Sequence, residues 1–410
     1  MAVTRSFTNV CDELDSRRHV TLGLERIQEL LALLGHPEES LKTVQVVGTN
    51  GKGTTSVALA AALEEVGEST GTYLSPHVLS YTERMMVRGQ YVSERQFVSV
   101  MDCVMDAADA GGVPASQFEL LTAGALELFR REGVGWAILE AGLGARYDAT
   151  TAAGPEAVVL TSVSLDHTEY LGDTLDEISR EKLASLPRGG VLVLGDENPE
   201  VVGIARQECK RAGAQLVEVT SPVDETRVGH LAPYALQNVH LGVRAAEVLL
   251  DMSLGAEVRG RVQRRVVGSL PGRFEVHALD GVPVVVDGGH NPAGLKTALA
   301  AVRQSYDDRP IGVVFGVLRD KDIGSMLTAL EKESDHLVIT RPSNERAMDP
   351  DRLVDQYGLR NRWEQKVGII ADANEALDRV VEKMKQINGV VLVTGSLYTG
   401  APVLERLRAS

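Results

Sequence analysis

The chain has 410 residues, of which 44% are hydrophobic and 24% are charged, a composition typical of a folded protein with two or three domains. Its formal net charge is −15, because 57 acidic residues outnumber 42 Lys and Arg residues. A chain this acidic has no general attraction for nucleic acid or other polyanions. We therefore expect no nucleic-acid partner, and any bound phosphate has to be held by a few specific residues instead of a basic surface.

The cysteines and the apolar segments indicate the cellular compartment. The three cysteines are far apart, and their spacing matches neither a disulfide framework nor a zinc site. No apolar run approaches the ~18–20 residues that a membrane helix needs, and the N-terminal residues lack the apolar core of a signal peptide. These features predict a cytoplasmic enzyme or binding protein with no membrane partner.

Strand-like and helix-like patterns alternate along the first two thirds of the chain. Short runs rich in β-branched residues predict strands at 43–48, 71–75, 136–142, 157–163, 191–195 and 215–219. Helical patterns lie at 52–67, 93–110, 116–132, 174–186 and 236–251, and a charged segment follows at 257–268. Strands alternating with helices of this length predict βαβ units and a mainly parallel sheet.

A second alternating set follows the sequence Leu-Pro-Gly at 270–272. Its strand-like runs lie at 282–289, 311–317, 336–340, 367–371 and 390–396, with helices that start near 292 and end near 386. We predict an α/β protein with a domain at 1–268, a domain at 273–410 and a linker at about 268–272.

The strongest motif is GTNGKGTT at 48–55, which follows a strand and opens a helix. Glycines allow the tight turn in which backbone N–H groups converge on phosphate oxygens. Lys52 supplies a positive charge for the phosphates, and the hydroxyl of Thr54 or Thr55 contacts the phosphates or their metal ion. The spacing departs from the common phosphate loop, because Gly53 separates the lysine from Thr54.

Other candidate residues follow or flank the predicted strands. Glu140 ends a strand, where a carboxylate faces the ligand crevice of a parallel sheet and suits Mg²⁺. Ser75 follows another strand and offers a hydroxyl. His167 also follows a strand, where it either binds a metal ion or caps a helix. Lys182 lies in an amphipathic helix, where a lysine after a glutamate is usually solvated.

These segments, in this order, resemble the folylpolyglutamate synthase/dihydrofolate synthase family of Mur-type ATP-dependent amide ligases. The resemblance extends over nearly the whole chain from about residue 20. It rests on VVGTNGKGTTS (46–56), GTYLSPHV (71–78), ILEAGLGARYDAT (138–150), TSVSLDHTEYLGDTLDEISREK (161–182), LPGRFEV (270–276), VVVDGGHNPAG (284–294) and VTGSLY (393–398). Motifs of this length in both predicted domains make the match specific.

The resemblance implies a two-domain Mur-ligase-like fold and a ligation reaction. A phosphate-loop domain with a mainly parallel sheet would bind Mg-ATP, and a smaller Rossmann-like C-terminal α/β domain would close over it and bring the amino acid. The expected substrates are ATP, L-glutamate and a carboxylic acid such as folate or dihydropteroate. ATP would convert the carboxylate into an acyl phosphate, which the amine then attacks, with release of ADP and phosphate. Family analogy favours a monomer.

The resemblance also assigns roles to individual residues. Those implied in catalysis are Lys52, Glu140, His167, Lys182, Asp287 and His290. Those implied in ATP binding are Thr49, Asn50, Gly51, Lys52, Gly53, Thr54, Thr55, Asn238, Arg273, His290 and Asn291. Those implied at two magnesium ions are Ser75, Glu140, His167 and Lys182, the last as a carbamylated lysine. Those implied at the acid substrate are Pro76, His77, Gln117, Phe118, Arg146 and Asp148, and those at the amino acid are Asp287 and Ser396.

The chain departs from the family pattern mainly at the acid-substrate site. Gln117 stands where folate ligases usually carry an aromatic residue, and the pair Tyr234-Ala235 replaces the usual His-Gln. One alternative is therefore a paralogue that ligates an amino acid to a different carboxylic acid. A catalytically inactive nucleotide-binding regulator is a third hypothesis, but the metal and phosphate residues that serve only turnover are retained.

Overall fold

The computed structural model describes residues 5–19, 21–220, 231–362 and 367–409. The chain divides into two compact units. The first comprises Met1–Val228 with Ala235–Val266, and the second comprises Gly229–Tyr234 with Val267–Ser410. Residues 268–272, the linker predicted from the sequence, belong to the second unit in this division.

Among the described residues, the first unit is built on an eight-stranded sheet. Its strands are β1 (Lys42–Val47), β2 (Thr70–Tyr73), β3 (Met85–Val87), β4 (Gln90–Tyr91), β5 (Trp136–Glu140), β6 (Ala157–Leu160), β7 (Val191–Leu194) and β8 (Gln215–Glu218). The helices are α1 (Phe7–Ser16), α2 (Glu25–Leu33), α3 (Lys52–Glu64), α4 (Glu94–Gly111), α5 (Gln117–Arg131), α6 (Thr168–Leu171), α7 (Leu175–Lys182), α8 (Pro199–Ala212), α9 (Pro233–Leu250) and α10 (Ala256–Val266).

The sheet has the order β4-β3-β2-β5-β1-β6-β7-β8. Strands β2, β5, β1, β6, β7 and β8 pair in parallel, which confirms the mainly parallel sheet predicted from the sequence. The hairpin β3–β4 adds an antiparallel edge that the sequence pattern did not predict. Because parallel strands end at the same edge of a sheet, the loops after β2, β5, β1 and β6 lie side by side.

Helices cover the sheet and bury its apolar residues. Helices α1, α2, α4 and α5 enclose a core that includes Val10, Ile27, Phe97 and Leu139. Helix α3 is Ala-rich, and every residue from Thr54 to Leu63 is buried. Its small side chains let α3 pack closely on β1, β2 and β5.

Five described helices of the first unit were not predicted as helices, namely α1, α2, α6, α8 and α10. Helices α1 and α2 precede the first predicted strand, and α10 is the charged segment at 257–268. The arginines of α10 form ion pairs at the C-terminal end of α3. Arg265 contacts Glu64, the last residue of α3, and Arg261 Nε lies 2.5 Å from Oε2 of Glu65, the next residue. Val262 and Val266 of α10 are buried.

The second unit contains a six-stranded sheet in the described part of the chain. Its strands are β9 (Glu275–Leu279), β10 (Val282–Val286), β11 (Ile311–Phe315), β12 (His336–Ile339), β13 (Val367–Ile369) and β14 (Val390–Thr394). Its helices are α11 (Pro292–Tyr306), α12 (Ile323–Glu333), α13 (Pro350–Gln356), α14 (Leu359–Arg362), α15 (Ala373–Gln386) and α16 (Leu397–Ala409). The order is β13-β12-β11-β14-β10-β9, parallel except for β9.

The cysteines and the apolar character of the helices were also considered in the sequence analysis. The three cysteines are free and all lie in the first unit, Cys11 on α1, Cys103 on α4 and Cys209 on α8. None of the described helices has both the length and the apolar character needed to cross a membrane.

Candidate active site

The phosphate loop joins β1 to α3. The chain leaves β1 at Val47 and enters α3 at Lys52. Gly48 and Gly51 have φ values of +147° and +86°, a backbone region that residues with side chains rarely adopt. A Cβ on Gly48 would also lie 1.9 Å from Oγ1 of Thr161. The turn therefore requires glycine at Gly48 for both conformation and space.

The segment after β6 supports this loop. The backbone N–H of Thr49 donates to the carbonyl oxygen of Ser162 at 2.6 Å. Thr161 Oγ1 donates to the carbonyl oxygen of Asn50 at 2.7 Å, and the N–H of Ser164 donates to Thr49 Oγ1 at 3.0 Å. These bonds hold the loop at the N-terminus of α3, where backbone N–H groups and the helix dipole favour a phosphate.

Two lysines meet at the carbonyl oxygen of Gly48. Lys52 Nζ donates to it at 3.2 Å and Lys182 Nζ at 2.9 Å. Lys182 is only 4% exposed, so the usual solvated position of such a helix lysine does not apply here. Burial, and then the charge of Lys52, lower the pKa of the Lys182 amine to about 7. The structure thus places a readily deprotonated amine against the phosphate loop.

The other predicted nucleotide residues of the first unit also surround the loop. A Cβ on Gly51 would lie 2.4 Å from Oδ1 of Asn238, so this α9 side chain packs on the turn. Thr54 and Thr55 are both buried in the first turn of α3, and Gly53 lies beside them. Within the described residues, Thr55 Oγ1 is buried without a hydrogen-bond partner.

Residues predicted at the metal ion follow neighbouring strands. Glu140, the last residue of β5, is 4% exposed. Its Oε2 accepts a hydrogen bond from the N–H of Ser75, which follows β2, at 2.9 Å. His167 follows β6 at the same edge of the sheet, is exposed, and has φ +53° at the start of α6. The structure therefore joins Ser75 to Glu140 directly and places His167 two strands farther along.

The donor chemistry of these residues fits magnesium in the presence of a nucleotide. No group of three His, Cys, Asp or Glu side chains able to hold a metal ion occurs among the described residues. Mg²⁺ usually takes one or two protein carboxylates and fills its remaining positions with water and substrate phosphates. One buried carboxylate, Glu140, near a serine hydroxyl and a phosphate loop is consistent with that pattern.

Two predicted acid-substrate residues, His77 and Gln117, both contact Tyr81. The Arg84 Nε–H donates to His77 Nδ1 at 2.8 Å, and the imidazole packs on Tyr81 with ring centroids 4.2 Å apart. Gln117 Nε2 donates to the hydroxyl oxygen of Tyr81 at 2.5 Å, and that hydroxyl donates to Asp15. Gln117 therefore joins a polar network instead of offering an aromatic face.

The remaining acid-substrate candidates are not brought into that network. Phe118 packs on Tyr73, with ring centroids 5.8 Å apart. Pro76 follows Ser75 through a cis peptide bond and is exposed. Arg146 Nε lies 2.8 Å from Glu181 Oε2, so its guanidinium already has a carboxylate partner.

Asp148 is buried inside the loop that follows β5. Its Oδ2 accepts the N–H groups of Gly142 at 2.8 Å and Leu143 at 2.9 Å, and its Oδ1 accepts the N–H of Thr150 at 3.0 Å. Burial raises the pKa of this carboxyl group, against the effect of these hydrogen bonds. In this arrangement the side chain organises the loop, and its contact with substrate stays a prediction.

Asp287 lies at the end of β10 in the second unit and is 6% exposed. Its Oδ1 accepts the N–H of Gly289 at 2.9 Å, and its Oδ2 accepts the N–H of Phe274 at 3.0 Å. The hydroxyl of Tyr234 also donates to Oδ2. Burial raises the pKa of the Asp287 carboxyl group, whereas Tyr234 and Arg273 lower it.

The other predicted residues of the second unit surround the same strand ends. A Cβ on Gly288 would lie 3.3 Å from an Arg273 guanidinium nitrogen. His290 Nδ1 lies 3.0 Å from the carbonyl oxygen of Gly288. Asn291 caps α11, and Ser396 is buried after β14, the strand beside β10.

Comparison with known proteins identifies the family. Residues 272–397 match the family model described as Mur ligase, glutamate ligase domain. The chain is similar to the dihydrofolate synthase/folylpolyglutamate synthase of Bacillus subtilis (strain 168), with 30% identity over 94% of this chain and 95% of that protein. The chain belongs to the folylpolyglutamate synthase/dihydrofolate synthase family.

Two solved structures extend the similarity to the whole fold. One is folylpolyglutamate synthase of Mycobacterium tuberculosis complexed with ADP, with a TM-score of 0.89, 26% identity and 98% of each chain covered. The other is bifunctional folylpolyglutamate synthase/dihydrofolate synthase with Mn, AMPPNP and L-glutamate bound, with a TM-score of 0.83, 29% identity and coverage of 99% of this chain and 98% of that chain. The predicted Mur-ligase-like fold is confirmed, and the chain is an ATP-dependent, ADP-forming acid–amino-acid ligase.

Several residues of this ligase that contact the predicted site were not singled out from the sequence. Tyr81 and Arg84 follow the quoted motif at 71–78, but nothing in their spacing indicated that they contact His77. Tyr234 was noted only as a departure from the family pattern. Its hydrogen bond to Asp287 joins residues far apart in sequence, and no local pattern encodes such a contact.

Proposed function

We propose that this ligase joins the amine of L-glutamate to a carboxylate of a folate or dihydropteroate, with ATP as the second substrate. The observation that carries the proposal is the shared edge of the first sheet. There Ser75 follows β2, Glu140 ends β5, the phosphate loop follows β1 and its supporting segment follows β6. The choice of substrates is supported by the names of the relatives and by the glutamate-bound structure.

The reaction needs ATP because a carboxylate is a poor electrophile. A carboxylate oxygen of the acid attacks the γ-phosphorus of ATP, the bond to the bridging oxygen of ADP breaks, and an acyl phosphate forms. The neutral amine then attacks the acyl carbon, phosphate leaves, and an amide bond remains. Both substrates of the first step are anions, so the ammonium group of Lys52 and the N–H groups at the start of α3 reduce their repulsion.

The proposed metal site uses residues at the same edge. A bound Mg²⁺ ion would neutralise phosphate charge. Glu140 and Ser75 would hold one ion, with the phosphates and water completing its shell. His167 would contribute to a second ion. The metal-bound relative supports a divalent ion, and the presence of two ions is part of the proposal.

Lys182 is proposed to act as a carbamate. Its neutral amine would attack CO₂, a C–N bond would form as one C–O π bond of CO₂ opens, and one proton would leave to solvent, which converts a neutral amine into an anionic oxygen donor. Burial of Lys182 and its position beside Lys52 support this step, because both disfavour an ammonium group there. The carbamate would then balance the charge of Lys52 and provide oxygen atoms toward the metal ion.

The second unit is proposed to bind the amino acid. Asp287 and Ser396 would contact L-glutamate, and Arg273, His290 and Asn291 would contact the nucleotide. The candidate acid-substrate residues are Pro76, His77, Gln117, Phe118, Arg146 and Asp148. We further propose that domains 1–268 and 273–410 divide these roles and that the protein acts as a cytoplasmic monomer, as expected from the sequence.

A mass-detected ligation assay tests the proposed function. Purified protein with Mg-ATP and L-glutamate is offered dihydropteroate and, separately, a reduced folate. We expect a product heavier by one glutamyl residue, formed together with ADP, and no product from the Glu140→Gln variant.

The polar network at Gln117 favours one alternative, a related acid in place of the folate. If neither substrate gives a product although the protein binds ATP, the folate assignment is wrong. A screen of other carboxylic acids would then identify the acid by ADP release.

A further inference from the structure

Tyr234 is a side chain of this ligase to which the expected reaction assigns no role. It occupies the first turn of α9 and is grouped with the second unit. Its ring packs edge-on against Phe274, with centroids 6.3 Å apart and an interplanar angle of 85°. Its hydroxyl donates to Oδ2 of Asp287.

The two oxygens of Asp287 have different surroundings. Oδ2 accepts hydrogen bonds from the Tyr234 hydroxyl and from the N–H of Phe274. Oδ1 accepts one from the N–H of Gly289. Each carboxylate oxygen has about two acceptor positions. Oδ2 is therefore satisfied by the protein, whereas Oδ1 retains capacity for a further donor.

We propose that Tyr234 is a positioning residue that fixes Oδ2 of Asp287 and so directs the incoming amino group of the substrate to Oδ1. This inference rests on the proposed role of Asp287 in binding the amino acid. The backbone bonds from Phe274 and Gly289 hold the carboxylate at two points, and the tyrosine hydroxyl completes the donor set on Oδ2. Because this chain has Tyr234 where the family pattern has histidine, the contact is specific to its own sequence.

The Tyr234→Phe variant tests the inference, because it keeps the ring and its packing on Phe274 but removes the hydroxyl. Without this donor, Oδ2 competes for the amino group and the carboxylate is less well fixed. We expect KM for glutamate to rise about tenfold, as for the loss of one hydrogen bond to a charged group. We expect KM for ATP to stay within about twofold, which also shows that the variant is folded.

The pH dependence of kcat/KM for glutamate gives a second measurement, which a mere loss of packing around Tyr234 would not change. The charged and titratable groups that face Asp287 are Tyr234 and Arg273, and both lower the pKa of its carboxyl group. Loss of the hydroxyl therefore raises that pKa, so the acid limb of kcat/KM for glutamate should move to higher pH. The control variant is Tyr306→Phe, which removes a hydroxyl at the far end of α11, about 20 Å from the start of that helix.

The Asp287→Asn variant separates failure of the inference from failure of the proposed function. If Asp287→Asn loses ligation while Tyr234→Phe keeps the wild-type KM and pH profile, the positioning role is wrong and the role of Asp287 stands. If Asp287→Asn ligates glutamate with an unchanged KM, both the positioning role of Tyr234 and the amino-acid-binding role of Asp287 are wrong. In support of the inference, the double variant should be no worse than Asp287→Asn alone, because Tyr234 acts only through Asp287.

Discussion

The carbonyl oxygen of Gly48 accepts hydrogen bonds from two lysines that belong to different elements. Lys52 is part of the phosphate loop, whereas Lys182 reaches it from α7. Two ammonium groups at one buried carbonyl oxygen repel each other, and the second amine is the one whose pKa falls to about 7. A pKa of about 7 leaves part of the Lys182 amine neutral at physiological pH, which the proposed carbamylation requires.

The two lysines should therefore respond differently to chemical rescue. We expect Lys182→Ala to lower kcat on the order of a hundredfold, because the proposed carbamate ligand of the metal ion would be lost. Added short-chain carboxylates should restore part of the activity by occupying the space of the carbamate.

Steady-state assays with and without acetate or propionate provide the measurement. Lys52→Ala is the matched control, since a carboxylate cannot replace its positive charge. Full activity of Lys182→Ala without added carboxylate would show that Lys182 has no metal-binding role.

His77 has a defined protonation state in this structure. An arginine N–H can only donate, so His77 Nδ1 must accept the bond from Arg84 and the ring proton lies on Nε2. Burial, and then the charge of Arg84, lower the pKa of His77 to about 3. The side chain therefore presents a neutral Nε2–H donor throughout the physiological pH range.

This protonation state predicts a pH dependence of stability. Between pH 6.5 and about 3 the unfolded chain binds a proton at His77 and the folded chain does not, so the free energy of unfolding falls on acidification. His77 therefore lowers the free energy of unfolding by up to about 1.4 kcal/mol for each pH unit of acidification. We expect His77→Gln to remove this dependence, as measured by urea unfolding at several pH values from 4 to 7. If the free energy of unfolding changes with pH by the same amount in the wild-type and His77→Gln proteins, His77 is not held neutral in the folded state.

At the scale of elements, α9 approaches the backbone of α3 closely at Gly242. A Cβ on Gly242 would lie 2.7 Å from both the N of Leu59 and the carbonyl oxygen of Thr55. Asn238 lies one turn earlier on the same face of α9 and packs on Gly51. The spacing between these two helices therefore also sets the position of Asn238 on the phosphate loop.

Gly242→Ala should weaken both stability and nucleotide binding. The added methyl group meets backbone atoms that cannot move aside, at a cost of about 1–3 kcal/mol, and it should displace Asn238 and raise KM for ATP. Urea unfolding and steady-state kinetics measure the two effects.

Gly203→Ala on α8 is the matched control, because nothing lies within 4 Å of its Cβ position. There alanine should stabilise the helix by roughly 0.5–1 kcal/mol. Equal effects of the two substitutions would contradict the close packing of α9 on α3.

The elements also show what the sequence could predict. Buried parallel strands are mostly apolar and rich in β-branched residues, so β1, β5, β6, β11 and β14 were recognised within a few residues. Helix α1 buries only Val10 and Leu14 among polar residues, a signal too weak to identify it. Lys182 followed the surface pattern of an amphipathic helix, and its burial results from packing against a loop that precedes it by 134 positions. The periodicity of apolar residues indicates which face of a single helix is buried. Contacts between residues far apart in sequence, such as that of Lys182, depend on the whole topology.

At the scale of the whole molecule, nucleotide binding should stabilise the protein against unfolding. A ligand at a hundred times its Kd adds about 2.7 kcal/mol to the free energy of unfolding. We expect Mg-ATP to give this stabilisation with the wild-type chain and little of it with Lys52→Ala, because the phosphates lose their cation. Urea unfolding with and without Mg-ATP measures the difference. An equal stabilisation of both proteins would exclude the phosphate-loop assignment of Lys52.

The distribution of cysteines allows unfolding of the first unit to be measured separately from that of the second. All three thiols belong to the first unit. Burial raises the pKa of Cys11 and Cys209 to about 11, so almost none of either is thiolate at neutral pH. An alkylating reagent should therefore modify these two side chains mainly when the first unit opens, and unfolding of the second unit adds no label. The rate at which Cys11 and Cys209 are modified thus measures the opening of the first unit alone.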